Sequence, residues 1–251
     1  MIHNKTVDLL LAHRSVRQFS QEPVPGELAE TVLACAQRAP TSSYLQAYTV
    51  IRVEDPEKRA ALMEYSGGQE WVVKAPLVLL FCADLHRVEE LLRPADRNVL
   101  HNAELFTVAV SDAALAAQKA LIAAQACGLG GVIVGGVRNE VEKMARLFDL
   151  PDLVFPMYLL CLGYPAETPE QRPRLERRFI CGVDSYPALP DGEELASYDR
   201  QVSEYFFRAT GGRSDRGWTD RTRHAISVKP RYPVWDYLQK AGFMTQTEPS
   251  M

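Results

Sequence analysis

The chain has 251 residues, 47% apolar and 24% charged, with a formal net charge of −4 at pH 7. A chain of that length buries roughly 70–75% of its unfolded surface, so its core needs neither disulfides nor a structural metal. The acidic balance argues against a general nucleic-acid binder, and no uninterrupted apolar stretch reaches the roughly 20 residues of a membrane span. The five cysteines, Cys35, Cys82, Cys127, Cys161 and Cys181, form no C-x-x-C pair, which excludes a zinc ribbon or thioredoxin motif and favours a reducing compartment. Each lies among apolar neighbours and reads as a small core residue. The polar start shows no signal-peptide pattern, so a cytoplasmic location is expected.

Residues 4–12 read as a helix with Asn4 as N-cap and Val7, Leu10 and Leu11 on one face. His13-Arg14-Ser15-Val16-Arg17 follows. In an extended segment His13, Ser15 and Arg17 share one side and Arg14 takes the other, over a reach of roughly 13 Å. That pattern fits either a clamp on a long phosphate-bearing ligand or a solvated basic helix end. A second helix begins near Pro25, carries Leu28, Val32, Cys35 and Ala39, and stops at Ala39-Pro40. Thr41-Ser42-Ser43 is a hydroxyl-rich loop, residues 48–53 are strand-like, and Asp55-Pro56-Glu57 opens another helix. Ser66-Gly67-Gly68-Gln69 reads as a helix end and loop, with Gln69 also suited to the edge of a pyrimidine-like ring.

Residues 77–82 are apolar throughout, as expected of a strand buried on both faces. Residues 101–127 carry the longest helical signal, alanine-dense in the second half and closed by Gly128. Residues 132–134 and 156–162 are further strands. Gly135-Gly136 is expected to make a tight turn, and Asn139-Glu140-Val141-Glu142 a variant capping box. Gly128-Leu129-Gly130-Gly131 does not make a dinucleotide fingerprint, because these glycines follow a helix and precede a strand. Residues 166–178 form a proline-rich charged loop in which Arg172-Pro173-Arg174 holds two cations on a stiffened backbone. Helices are expected at 192–208, 218–228 and 231–241. The five histidines show no metal-ligand spacing, and no nucleophile elbow or phosphate loop occurs.

Taken in order, His13–Phe19, Thr41–Gln46, Gly67–Gln69, Gly128–Asn139, Cys161–Pro165 and Arg172–Leu175 resemble the FMN-dependent nitroreductase superfamily, in its NADPH-dependent oxygen-insensitive nitroreductase and flavin reductase branch. The resemblance runs from about residue 5 to 242. It implies an α+β fold with a central, mostly antiparallel sheet flanked by helices. It also implies an intertwined homodimer with an FMN-binding core over 1–181. A helical C-terminal extension over 182–251 is expected to be part of the same structural unit. By the same resemblance, His13, Arg14, Ser15, Arg172 and Arg174 would bind the FMN phosphate and ribityl chain. Arg17 would lie at the flavin N1–O2 edge, Ser42, Ser43 and Gln69 would contact the ring, and Val134, Gly135 and Gly136 would offer backbone contacts. Arg172 stands where the family commonly has lysine. Arg208, Arg213 and Arg216 would grip the 2′-phosphate of NADPH from a glycine-flanked loop.

The implied activity is ping-pong transfer of two electrons from NADPH to nitroaromatics, quinones or flavins. A dedicated FMN reductase serving a monooxygenase and a non-catalytic flavin-binding protein are the alternatives. Homodimerisation and small-molecule acceptors are expected, with neither nucleic acid nor membrane as partner.

Overall fold

The computed structural model describes residues 2–228 and 230–246. Four strands, β1 (Tyr48–Arg52), β2 (Leu77–Asp84), β3 (Gly130–Val134) and β4 (Val154–Gly163), form one sheet in the order β1-β2-β4-β3. Every pairing is antiparallel, with a register shift at Phe81/Cys82. This is the α+β architecture that the resemblance implies.

The sheet is covered on both faces, which explains the continuous apolar run of β2. Side chains alternate along a strand. Leu77, Leu79 and Phe81 pack with α2 (Gly26–Ala36) and α6 (Ala103–Ala126) on one face. Val78, Leu80 and Cys82 pack on the other with Leu62 of α3 (Pro56–Tyr65), Val72 of α4 (Trp71–Lys74) and Met144 of α7 (Val141–Leu147). The alanines of α6 earn their place here. Ala116, Ala117, Ala120 and Ala124 are fully buried, and their small side chains let α2 and the sheet approach closely. α6 is long and apolar enough to cross a membrane by length and composition, yet it serves as the core helix across this sheet.

Local chemistry sets several helix ends. Asn4 accepts from the N–H groups of Thr6 and Val7 at the start of α1 (Lys5–Leu11), and Asp55 accepts from those of Glu57 and Lys58 at α3. α6 begins two residues later than the periodicity indicates because Asn102 caps it, accepting from Leu105 N–H at 2.8 Å. α2 ends at Ala36 rather than Ala39, its last residues loosening into a turn. The short α4 and α5 (His86–Leu91) go beyond the sequence reading. Gly130 and Gly131 lie inside β3, and the tight turn expected at Gly135-Gly136 is a 3-10 turn, Gly135–Arg138. The capping box expected at Asn139–Glu142 does not form, since the residue at the N-cap of α7 is Glu140 and its side chain caps nothing.

The chain divides into two compact units. The first contains the described residues up to Leu11, 15–168 and 231–246; the second contains 12–14 and 169–230. The second unit thus takes in Pro169 onward as well as the residues around His13, and the last helix belongs to the first unit. The reason lies in α10 (Pro233–Lys240). Phe243, just beyond it, is fully buried 5.1 Å from the Phe106 ring, and Tyr237 donates to the Val154 carbonyl at 2.7 Å. These contacts return residues 231–246 to the first unit. The second unit is built on α8 (Gly192–Ala209) and α9 (Trp218–Val228). Asp191 and Glu194 close a reciprocal capping box at the start of α8.

Cys82 and Cys161 are buried as expected, and burial holds both thiols protonated, that of Cys161 pushed up to about 12. Cys127 and Cys181 are exposed and do not belong to the core. Phe243→Ala removes the end ring of an aromatic series that runs through Phe106 and Phe155 to Tyr237. It should lower unfolding free energy by about 3–5 kcal/mol in urea titration; an unchanged midpoint would show that α10 does not anchor the first unit.

Candidate functional site

Within the first unit, residues 15–20 run beside the sheet's glycine-rich corner. Val16 N–H donates to the Gly131 carbonyl at 3.0 Å, Ser20 N–H donates to that of Tyr164, and Phe19 bridges to Pro165. The approach is so close that a Cβ on Gly130 would lie 2.7 Å from the Val16 side chain. Val16 is buried by this contact, while Ser15 and Arg17 are half-buried.

Arg17 donates to its neighbour's carbonyl, that of Ser15, at 3.4 Å, and its guanidinium lies 5.5 Å from the centre of the Trp71 ring. Trp71 stands two residues after Gln69. The Gln69 amide nitrogen donates to the Ser66 carbonyl at 2.7 Å, which orients the side chain and leaves Oε1 as its acceptor. Gly136 nests against this turn: a Cβ there would fall 2.6 Å from Gln69 Nε2 and 2.5 Å from the Ser66 carbonyl. The fold therefore joins Gln69 to the Val134-Gly135-Gly136 segment, and Arg17 to the ring beside Gln69. Ser42 and Ser43 are exposed on a separate 3-10 turn, Ser42–Tyr44.

The second unit contains His13, Arg14, Arg172 and Arg174. Arg14 donates to the carbonyls of Ala12 and Pro169, and Gln171 donates to that of His13. Residues 12–14 are thus stitched to the start of the proline-rich segment. Arg174 folds onto the carbonyls of Arg172 and Pro173, and the Arg172 guanidinium lies 5.6 Å from the Phe206 ring centre. Arg172 and Arg174 are both exposed.

The three loop arginines part company. Arg208 pairs with Glu170 at 2.8 Å, and this partner raises its pKa and lowers that of the carboxyl. Arg213 and Arg216 instead line a cavity of about 510 Å³ together with Ser214, Asp215, Arg221 and His224. Arg221 was not visible as a site residue in the sequence. Its guanidinium stacks 3.2 Å from the Phe206 centroid and donates to Ser214 Oγ at 2.6 Å and to the Arg216 carbonyl at 2.9 Å. Burial, then the like charges of Arg172 and Arg216, push its pKa down. Trp71 was likewise missed. An arginine in a charged helix, or a tryptophan beside a glycine turn, carries no periodic mark; the aromatic or cationic partner comes from elsewhere in the chain.

The donor set suits FMN. Guanidiniums match a phosphomonoester, and Gln69 with glycine backbone matches a flat heterocycle. No group of three or more histidine, cysteine or carboxylate side chains able to hold a metal occurs among the described residues.

The Nitroreductase family model matches residues 10–164, and the model for the C-terminal domain of that family matches 172–246. The chain is 37% identical to an FMN reductase (NADPH) of Bacillus subtilis over 245 residues, covering 96% of this chain and 98% of that one. It is 38% identical to an oxygen-insensitive NADPH nitroreductase of Salmonella typhimurium over 242 residues, covering 96% and 99%. Among solved structures, the NfrA1 nitroreductase of B. subtilis superimposes with a TM-score of 0.91 at 36% identity, over 96% of this chain and 100% of that one. An NADPH:FMN oxidoreductase of Vibrio harveyi, solved with NAD+, gives 0.88 at 30% identity over 97% and 100%. Matched through nearly its whole length in sequence and fold, the chain belongs to the nitroreductase family.

Proposed function

We propose that this protein is an FMN-dependent oxidoreductase that takes two electrons from NADPH and passes them, by a ping-pong mechanism, to nitroaromatics, quinones or flavins. The observation that carries the reading is the placement of Arg17: a half-buried guanidinium against Trp71, beside the Gln69–Gly136 contact. FMN, when bound, supplies the two-electron exchange between nicotinamide and acceptor.

The residues of the chain bind and tune. His13, Arg14, Ser15, Arg172 and Arg174 hold the phosphate and ribityl chain. Gln69 offers Oε1 to the ring, with Ser42, Ser43, Val134, Gly135 and Gly136 completing the contacts. Arg17 presents a preorganised positive charge to the N1–O2 edge, favouring the electron-rich state of the ring. The Trp71 face limits the directions in which that guanidinium can swing. Arg213 and Arg216 recognise the 2′-phosphate of NADPH, with Arg208 drawn aside by Glu170.

We also propose a cytoplasmic homodimer. The support for association is the apolar side chains that each unit exposes: Leu10, Leu11 and Leu115 in the first, Ile180, Val183 and Tyr186 in the second.

Steady-state assays with NADPH against a quinone, a nitroaromatic and free FMN test the reading. Turnover with the first two supports the general oxidoreductase. Turnover confined to free FMN would replace it by a dedicated flavin reductase, and none at all by a flavin-binding protein. Arg17→Ala should slow reduction of the bound flavin by NADPH about tenfold or more in stopped flow, since a preorganised charge is lost. An unchanged rate would remove Arg17 from this role. Arg213→Ala combined with Arg216→Ala should lower the ratio of kcat/KM for NADPH over NADH by at least about tenfold, the worth of roughly one charge-assisted contact. An unaltered ratio would refute 2′-phosphate recognition by these two residues.

A further inference from the structure

One buried charge in the first unit is not accounted for by the site as described. Asp112 lies in the middle of α6, among alanines, with only 1% of its surface exposed. A carboxylate there is costly unless its oxygens are satisfied. Both are: Oδ1 accepts from Ser42 N–H and Oδ2 from Ala47 N–H, each at 3.0 Å. The two N–H groups bracket the loop 42–47, so one side chain of the core helix ties down both ends of the hydroxyl-bearing segment.

That loop needs holding. Ser43, Tyr44 and Gln46 have φ values of 48°, 59° and 53°, the left-handed region that side-chain-bearing residues rarely adopt. Its internal bonds are few: Leu45 N–H donates to the Ser42 carbonyl and Tyr48 N–H to that of Gln46. The Tyr44 side chain is 81% exposed and contributes little packing. Three strained residues within the four positions 43–46, with one buried carboxylate holding both ends, describe a backbone shape imposed by Asp112 rather than chosen by the loop itself.

We propose that Asp112 is a positioning residue of the flavin site, fixing the 42–47 backbone so that Ser42 and Ser43 are preset for the ring before FMN arrives. The inference rests on the assignment of those two serines to the flavin. A carboxylate suits the task because both its oxygens accept, whereas an amide has one accepting oxygen and would turn an N–H group toward the second donor. Presetting of this kind raises affinity by removing the ordering cost from the binding step.

The test compares full-length wild type and Asp112→Asn after FMN removal, by titrating FMN and following its fluorescence. The variant should bind at least about tenfold more weakly, the size of one lost charge-assisted hydrogen bond. Gln46→Gly in the Asp112→Asn background should recover part of that loss, because glycine adopts the left-handed region without strain. If wild type takes up no FMN, the flavin reading fails. If wild type binds and Asp112→Asn binds equally well, with only its melting temperature lowered, Asp112 is merely structural and the proposal is overturned. Should Asp112→Asn not fold, hydrogen exchange of the FMN-free wild type decides. Ser42 and Ala47 amides as slow as those of β1 support presetting; rates of an open loop overturn it.

Discussion

The placement of the N-terminal motif depends on one close backbone approach. Residues 15–20 can lie along the sheet corner only because Gly130 and Gly163 carry no side chain. A Cβ on Gly130 would stand 2.7 Å from the Val16 side chain, and one on Gly163 3.0 Å from the Phe19 ring. Hydrogen bonds from Val16 to Gly131 and from Ser20 to Tyr164 then fix the register. With Val16 turned into the core, alternation turns Ser15 and Arg17 the other way. Gly130 and Gly131, within what looks like a broken phosphate-binding fingerprint, are therefore packing glycines: Gly130 admits the extended segment 15–20, and Gly131 lies against Leu162 and Leu121.

The same logic recurs one strand end later. Gly136 meets the Ser66–Gln69 turn at a distance that excludes any side chain, and this seats Gln69 on the segment that leaves β3. Two glycine contacts thus set the geometry of Arg17 and Gln69, with Trp71 joining them. The alanine-rich α6 plays the corresponding part on the opposite face, where small side chains bring α2 onto the sheet. Its single buried charge faces a loop, not the sheet, and ties that loop at both ends.

Much of this was legible in the residues. The apolar run of β2 announced a strand covered on both faces, and Asn4 and Asp55 marked helix starts through the chemistry of their side chains. Gly130 and Gly131 were visible but misplaced at a strand boundary, because a glycine inside a strand is recognised by what packs on it. The capping box at Asn139 had the right residue types but the wrong frame: a 3-10 turn through Arg138 shifts the start of α7. The division of the chain escaped composition altogether. α8, α9 and α10 all carry polar helical patterns, and only the burial of Tyr237, Leu238 and Phe243 assigns the last to the first unit. In the second unit, the different surroundings of Arg208 and Arg213 follow from where Glu170 lies, which spacing cannot reveal.

Electrostatics divide along similar lines. Arg208 has a carboxylate partner, whereas Arg221 is held by an aromatic face, a hydroxyl and a carbonyl while repelled by Arg172 and Arg216. The cavity that Arg221 borders has three guanidiniums, those of Arg213, Arg216 and Arg221, against the one carboxylate of Asp215, a positive balance that suits an anion. The central claim is that this chain holds FMN and draws electrons for it from NADPH. The most direct measurement is the visible spectrum of the purified full-length protein during anaerobic titration with NADPH and, separately, NADH. The account predicts a flavin spectrum that NADPH bleaches stoichiometrically and faster than NADH does. A colourless protein that takes up no added FMN, or a flavin spectrum that neither coenzyme bleaches, would contradict it.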